Sequence, residues 1–183
     1  RQPTEAGKAL PDERRRLKSL AEHLCRLNED DQHRADTVLR RWRKVPATRT
    51  LIHGDLFRDN TLYDGDRLGG IIDFYNGCTG ELLFDLAIVI NDWASDADGS
   101  LNVARYEAIL APYLQHRPLS ASERALWPTM LRMTALRYWL SRLLVIHVDP
   151  PAHDITPHDP ARFRTLLGKR LEAAPPGFPD AIA

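Results

Sequence analysis

Cysteine, net charge and long apolar runs are all scarce in this chain, and each scarcity removes a class of protein. Cys25 and Cys78 are the only two cysteines in 183 residues. They are too few and too far apart to staple a small secreted fold, and they fit a reducing compartment, so a cytoplasmic location is expected. Lys and Arg number 25 and Asp and Glu 25, giving a formal net charge of zero. No global field therefore draws in nucleic acid or an anionic membrane, and a small molecule is the expected partner. Charge interrupts every apolar stretch well before the roughly 20 residues that span a bilayer. The chain opens on Arg1 with no apolar signal region behind it, so the expectation there is a fragment and not a secretory leader.

What is present suffices for a core. With 183 residues and 43% hydrophobic content, one domain over residues 1–183 is expected, with a Pro-rich tail over 172–183 that frays. Leu17, Leu20, Leu24 and Leu27 recur at three- and four-residue steps, and Val38, Leu39 and Trp42 follow a polar break at Asn28 to Asp31, so two helices are predicted, the second stopped by Pro46. Short apolar segments at Thr50 to His53, Thr61 to Tyr63 and Leu68 to Phe74 read as strands, the last two joined by a tight turn at Asp64-Gly65-Asp66. From Glu81 to Ile90 the pattern is a nearly continuous apolar helix, hence buried. Arg105 to Leu114, Ala121 to Val148 and Pro160 to Leu171 read as further helices, with Pro128 a candidate kink and Pro150-Pro151 a stop. The fold class expected is α+β, mainly α-helical, with a small β-hairpin region.

The chemistry-bearing stretch is Leu51-Ile52-His53-Gly54-Asp55-Leu56-Phe57-Arg58-Asp59-Asn60, followed by Gly70-Ile71-Ile72-Asp73-Phe74. Transfer of a γ-phosphoryl group asks for divalent metal to offset phosphate charge and a carboxylate to orient the attacking hydroxyl and take its proton. The spacing His53-x-Asp55-x4-Asn60 puts Asp55 at the start of a loop and Asn60 at its end, so both can face one cleft. Asp73 follows two β-branched residues and precedes an aromatic one, as a carboxylate at the mouth of a hairpin does. Magnesium favours hard oxygen ligands and keeps several waters, so one carboxylate, one amide oxygen and the phosphates are enough to hold it. Taken singly, His-Gly-Asp and Asp-Asn are ordinary turn residues. Their joint occurrence in this order, between strand-like segments, points to phosphoryl transfer.

These residues resemble a known family, the aminoglycoside-phosphotransferase-like kinases, which share the protein-kinase fold. His53 to Asn60 is similar to the family's catalytic loop, Ile71-Ile72-Asp73-Phe74 to its metal-binding segment, and Phe84-Asp85-Leu86-Ala87 to a signature whose aspartate buttresses that loop. The resemblance implies Asp55 as catalytic base, Asn60 and Asp73 as Mg2+ ligands, ATP as phosphoryl donor, and His53 and Asp85 as structural supports of the loop. Within the family, Asp73 to Thr79, Asp85 to Ile88, Asn91-Asp92-Trp93 and the helix from Ala135 to Leu143 resemble the members that phosphorylate homoserine in threonine biosynthesis. Aminoglycoside, choline or another amino alcohol is the alternative acceptor, and a non-catalytic kinase lobe the alternative of another class. The expectation is of the C-terminal lobe of such a kinase, because Lys8, Lys18 and Lys44 stand in no β context and nothing before His53 resembles a nucleotide lobe.

Other residues carry two readings each. Arg58 offsets charge on the transferred group or is a surface arginine. Asp59 assists the metal or caps a turn, and Asp85 caps its own helix or braces the loop. An amino-acid acceptor needs its carboxylate held, which suits the planar fork of arginine, so Arg137 and Arg142 are candidates unless they pair with surface carboxylates. Tyr138 shares the face of Arg142. Asn76, Asn91 and Asp92 are candidates for the same pocket, Asp92 for a substrate ammonium. Trp93, Trp127 and Trp139 are expected in the core. The remaining histidines have no metal-ligand spacing.

Overall fold

The structure, a computed structural model, describes residues 29–42, 48–147 and 158–179. In chain order these form α1 (Glu29–Trp42), β1 (Arg49–Ile52), a 3-10 turn (Arg58–Asn60), β2 (Thr61–Asp64), β3 (Arg67–Ile71), a second 3-10 turn (Phe74–Asn76), β4 (Cys78–Glu81), α2 (Leu83–Trp93), α3 (Val103–His116), α4 (Ala121–His147) and α5 (Ala161–Glu172). The mainly helical α+β class is as expected. The predicted helix through Leu17 to Leu27, the stops at Pro46 and at Pro150-Pro151, and Lys8, Lys18, Lys44 and Cys25 lie outside the described residues.

The core is organised around α4, which packs against α1, α2 and α5. Its buried residues run from Leu126 to Leu140 with few gaps, the pattern of a helix covered on several sides and not of one with a single apolar stripe. Each fully buried Leu or Met there contributes roughly 1.5–3 kcal/mol of transfer free energy. Pro128 lies inside α4 without dividing it. Trp127 and Trp139 are core residues, and Trp93 is half-buried against Tyr63. α2 buries eight of its residues, including Asn91 and Asp92. α1 carries Glu29, Asp30 and Asp31 in its first turn and Arg40 and Arg41 in its last, complementing the helix dipole at both ends.

The strands make two separate antiparallel pairs. β2 and β3 form the predicted hairpin, with Asp64 opposite Arg67 across the turn, where Gly65 adopts φ 58°. β1 pairs with β4, Arg49 opposite Glu81 and Ile52 opposite Cys78. β4 is a strand that sequence did not announce: Cys78-Thr79-Gly80-Glu81 has little β-propensity, and its pairing with β1 decides its conformation. Phe74, expected at the end of the third strand, instead opens the second 3-10 turn.

Two polar features tie α5 and the tail to this core. Arg170 on α5 is buried and donates from Nε to Asn91 Oδ1, from NH1 to the Gly99 carbonyl and from NH2 to Ser95 Oγ; burial lowers its pKa to about 10. Residues 173–179, within the stretch expected to fray, are seated instead. Trp127 Nε1 donates to Tyr106 Oη at 2.9 Å, Tyr106 Oη donates to the Pro176 carbonyl at 3.2 Å, and the Phe178 ring lies 5.9 Å from that of Trp127. Among the described residues no helix is long and apolar enough to cross a membrane.

The start of α4 is a reciprocal cap. Glu123 accepts from the Ser120 amide at 2.9 Å while the Ser120 hydroxyl accepts from the Glu123 amide at 3.2 Å, the arrangement that satisfies orphan amides at a helix N-terminus. Burial opposes ionisation of Glu123, but bonds from the Ser120 amide, Arg117, Thr48 and the Ser120 hydroxyl outweigh it and hold the carboxyl at about 2. A carboxyl lowered on folding stabilises above its unfolded pKa and loses that contribution as pH falls through its folded one. Unfolding of the native chain and Glu123→Gln, compared across pH, is therefore expected to show the native chain's advantage full at neutral pH, shrinking below pH about 4.5 and gone near pH 2. An advantage that does not change with pH counts against this role.

Candidate active site

Where β1 ends at Ile52, the amides of His53 and Gly54 turn toward α2 and both are received by one carboxylate. Asp85 Oδ2 accepts from His53 N at 2.7 Å and Oδ1 from Gly54 N at 2.8 Å. Of its two readings, Asp85 thus takes the loop-bracing geometry; α2 has no side-chain cap. The His53 ring is buried and bridges two segments: Nε2 donates to the Ile72 carbonyl at 2.8 Å, and Nδ1 accepts from Asp55 N at 3.3 Å. That pair of bonds assigns the ring proton to Nε2. His53 also lies 4.5 Å from the Phe74 ring, so it joins the loop bearing Asp55 to the segment bearing Asp73.

Gly54 is required by its surroundings. Its φ is +79°, and a Cβ there would sit 2.8 Å from the Asn76 carbonyl oxygen, which excludes every other residue without backbone movement. Asn60 closes the loop: its Nδ2 donates to the Asp55 carbonyl at 2.7 Å and to Asp55 Oδ2 at 3.3 Å. Since the amide nitrogen is committed, the oxygen is what Asn60 has to offer a cation. Ile72 N donates to the Asn60 carbonyl at 3.0 Å, drawing Asp73 alongside. Among the described residues Asp73 is the one non-glycine with positive φ, 61°, a strained conformation of the kind that collects at functional sites.

These residues open onto a cavity of about 500 Å³. Its lining draws Asp55, Asp59, Asn60, Asp73 and Asn76 from the loops around the hairpin, Arg137, Tyr138, Ser141 and Arg142 from α4, Arg162 from α5, and also His158 and Asp92. Tyr138 Oη donates to the Gly54 carbonyl at 2.6 Å. Burial first, and the nearby Asp55 charge, raise the Tyr138 pKa well above that of a free phenol despite the opposing charge of Arg137, so it stays a donor at working pH.

Not every expected site residue is disposed as its sequence reading has it. Asn91 faces away from the cavity: its Nδ2 donates to Leu131 O and Thr134 Oγ1 and its oxygen receives Arg170. It secures α2 to α4 and α5. Asp92 lines the cavity, yet both its oxygens are engaged, Oδ2 by Arg58 N at 2.9 Å and Arg58 Nε at 3.2 Å, Oδ1 by an Arg162 NH2 at 2.7 Å. It holds two arginines in place. Arg58 is accordingly tied back to α2 and does not line the cavity. Arg162 was not singled out from sequence, because a lone arginine at a helix start reads as surface charge.

The donor set fits a hard divalent cation. Among the described residues no group of three or more His, Cys, Asp or Glu could hold a metal; magnesium needs only one or two protein oxygens beside phosphates and water.

Residues 1–119 match the family model for the phosphotransferase enzyme family (APH). The chain belongs to that family. Family relatives include the homoserine kinase of Pseudomonas aeruginosa (strain UCBPP-PA14), 52% identical over 122 residues that cover 67% of this chain and 38% of the relative. The homoserine kinase of Methylobacillus flagellatus is 48% identical over 132 residues, 72% of this chain and 40% of the relative, and that of Neisseria meningitidis serogroup B is 48% identical over 118 residues, 64% and 38%. The chain thus spans about two-fifths of the length of these curated relatives.

Asp85 gives this phosphotransferase-family site a direct test. Asp85→Ala strands two amides that now share a carboxylate, so it is expected to lower unfolding free energy by about 3 kcal/mol in a denaturant titration. The His53 and Gly54 amides should also lose hydrogen-exchange protection. A variant with native stability and protected amides contradicts the bracing role.

Proposed function

We infer that the full-length protein transfers the γ-phosphoryl group of ATP to the side-chain hydroxyl of homoserine, and that this chain forms the C-terminal lobe of a protein-kinase-like fold. The observation that carries the reading is the pairing of Asp55 with Asn60 on a loop clamped by Asp85, with Asp73 drawn to the same cavity wall through Ile72. Asp55 receives the acceptor hydroxyl and its proton. Asn60 and Asp73 are the residues to hold Mg2+, which, when bound, offsets phosphate charge. His53 and Asp85 fix the loop without touching the reacting atoms.

Further support for a nucleotide comes from the hairpin. Leu62 is paired with Gly70, so the two share one face of the hairpin, and Ile72 follows just beyond β3. Leu62 and Ile72 are 52% and 42% exposed, and a Cβ at Gly70 would meet nothing within 4 Å. This is an open apolar shelf one or two residues from Asn60 and Asp73, suited to the flat face of a purine. The acceptor is read from the helical part of the lining. Arg137, Arg142 and Arg162 in that lining suit a compound carrying a carboxylate. The reaction belongs to the cytoplasm, where ATP and amino acids meet.

ATP turnover with magnesium, measured for the full-length protein against homoserine, choline and an aminoglycoside, tests this. Homoserine is expected to give the highest kcat/KM. Faster turnover of choline or the aminoglycoside, or none with any acceptor, overturns the reading.

A further inference from the structure

We propose that Arg142 and Arg162 form a carboxylate-binding subsite, with Arg162 the specificity-determining residue that selects an α-amino acid over the corresponding simple amino alcohol. This rests on the phosphotransferase reading above and adds which residues choose the acceptor.

The two guanidinium groups come from different helices yet sit over one ring. That of Arg142 lies 4.5 Å and that of Arg162 5.7 Å from the centroid of Phe163. Phe163 is buried and held edge-on by Phe57, 5.9 Å away, and beside Tyr138, 5.6 Å away. Phe57 belongs to the loop of Asp55, and Tyr138 donates to Gly54 in that loop. The aromatic floor therefore fixes the distance between the two cations and the carboxylate that takes the hydroxyl proton.

Each arginine is anchored by one nitrogen and keeps others to offer. Arg162 spends an NH2 on Asp92 Oδ1 at 2.7 Å, and Arg142 its NH1 on the Asp159 carbonyl at 2.9 Å. A guanidinium has five donors in a planar fork, so both retain N–H groups in a cavity they line. Asp92 is a positioning residue here: buried, with its other oxygen on Arg58, it holds Arg162 in place. Among the described residues Arg142 makes no ion pair with a carboxylate. Burial first, and then the neighbouring Arg162 charge, lower its pKa against the opposing charges of Asp92, Asp159 and Asp55. A carboxylate forked between them offsets that repulsion and leaves the other end of a short amino acid directed at Asp55.

The test compares homoserine with 3-aminopropan-1-ol, the same molecule without its carboxylate, using the full-length enzyme, ATP and magnesium. The ratio of kcat/KM between the two acceptors is expected to fall on the order of 10²-fold in Arg162→Gln, and similarly in Arg142→Gln, as for loss of a charge-assisted bond pair. The loss should appear chiefly in KM for homoserine, and Arg162→Lys should restore only part of it, because a point charge lacks the fork. Calorimetric titration of the 183-residue chain with each compound reads the same preference without turnover, and circular dichroism confirms folding of each variant. If homoserine is phosphorylated or bound and both glutamine variants keep the native preference, the subsite is overturned while the homoserine reading stands. If homoserine is neither bound nor phosphorylated by the native protein, the acceptor reading fails and takes this proposal with it.

Discussion

The site depends on one carboxylate presented by a buried helix. Asp85 receives two successive backbone amides at the point where β1 stops, and without it the loop from His53 to Asn60 has nothing from α2 to hold its entry. A carboxylate is suited to this because it accepts on two oxygens at once, and charge-assisted bonds to backbone amides are among the stronger ones available. Everything downstream inherits the position this sets. The left-handed turn at Gly54, the His53 bridge to Ile72, the Asn60 tether to Asp55 and the tyrosine clamp from α4 are each one bond further along the same chain of constraints.

Around that anchor the cavity gathers both kinds of charge. Asp55, Asp59 and Asp73 occupy loops between strands, while Arg137, Arg142 and Arg162 project from helices. Asp92 and Arg170 keep the helical side in place: Asp92 draws Arg58 and Arg162 together from within α2, and Arg170 draws Asn91, Ser95 and Gly99 onto α5. Buried polar groups of this sort are tolerated because they are bonded several times over. Their effect is to hold the arginine-bearing helices around the cavity that Asp55, Asn60 and Asp73 also line.

Much of this was legible in the sequence, for stated reasons. Apolar periodicity located α2 through α5 to within a few residues, since long helices with buried faces leave a strong repeat. The spacing of His53, Asp55, Asn60 and Asp73 located the loop because that chemistry uses few side chains in a fixed order. The strand at Cys78–Glu81 was not legible, as its pairing partner lies nearly thirty residues earlier and its own residues favour no strand. Nor were Arg162 and Arg170, whose roles depend on which helix faces which. Asn91 misled for the same reason: adjacency in sequence put it beside Asp92, while the helix turned Asn91 into the core and Asp92 toward the cavity and two arginines.

The proposed activity turns on whether Asp55 takes the proton of the acceptor hydroxyl. Steady-state ADP formation by the full-length protein and by Asp55→Asn, with homoserine, ATP and magnesium, measures it most directly. The expected result is a fall in kcat on the order of 10²- to 10⁴-fold, as for removal of a general base, with the variant still folded and still binding homoserine. An undiminished kcat in Asp55→Asn would contradict it.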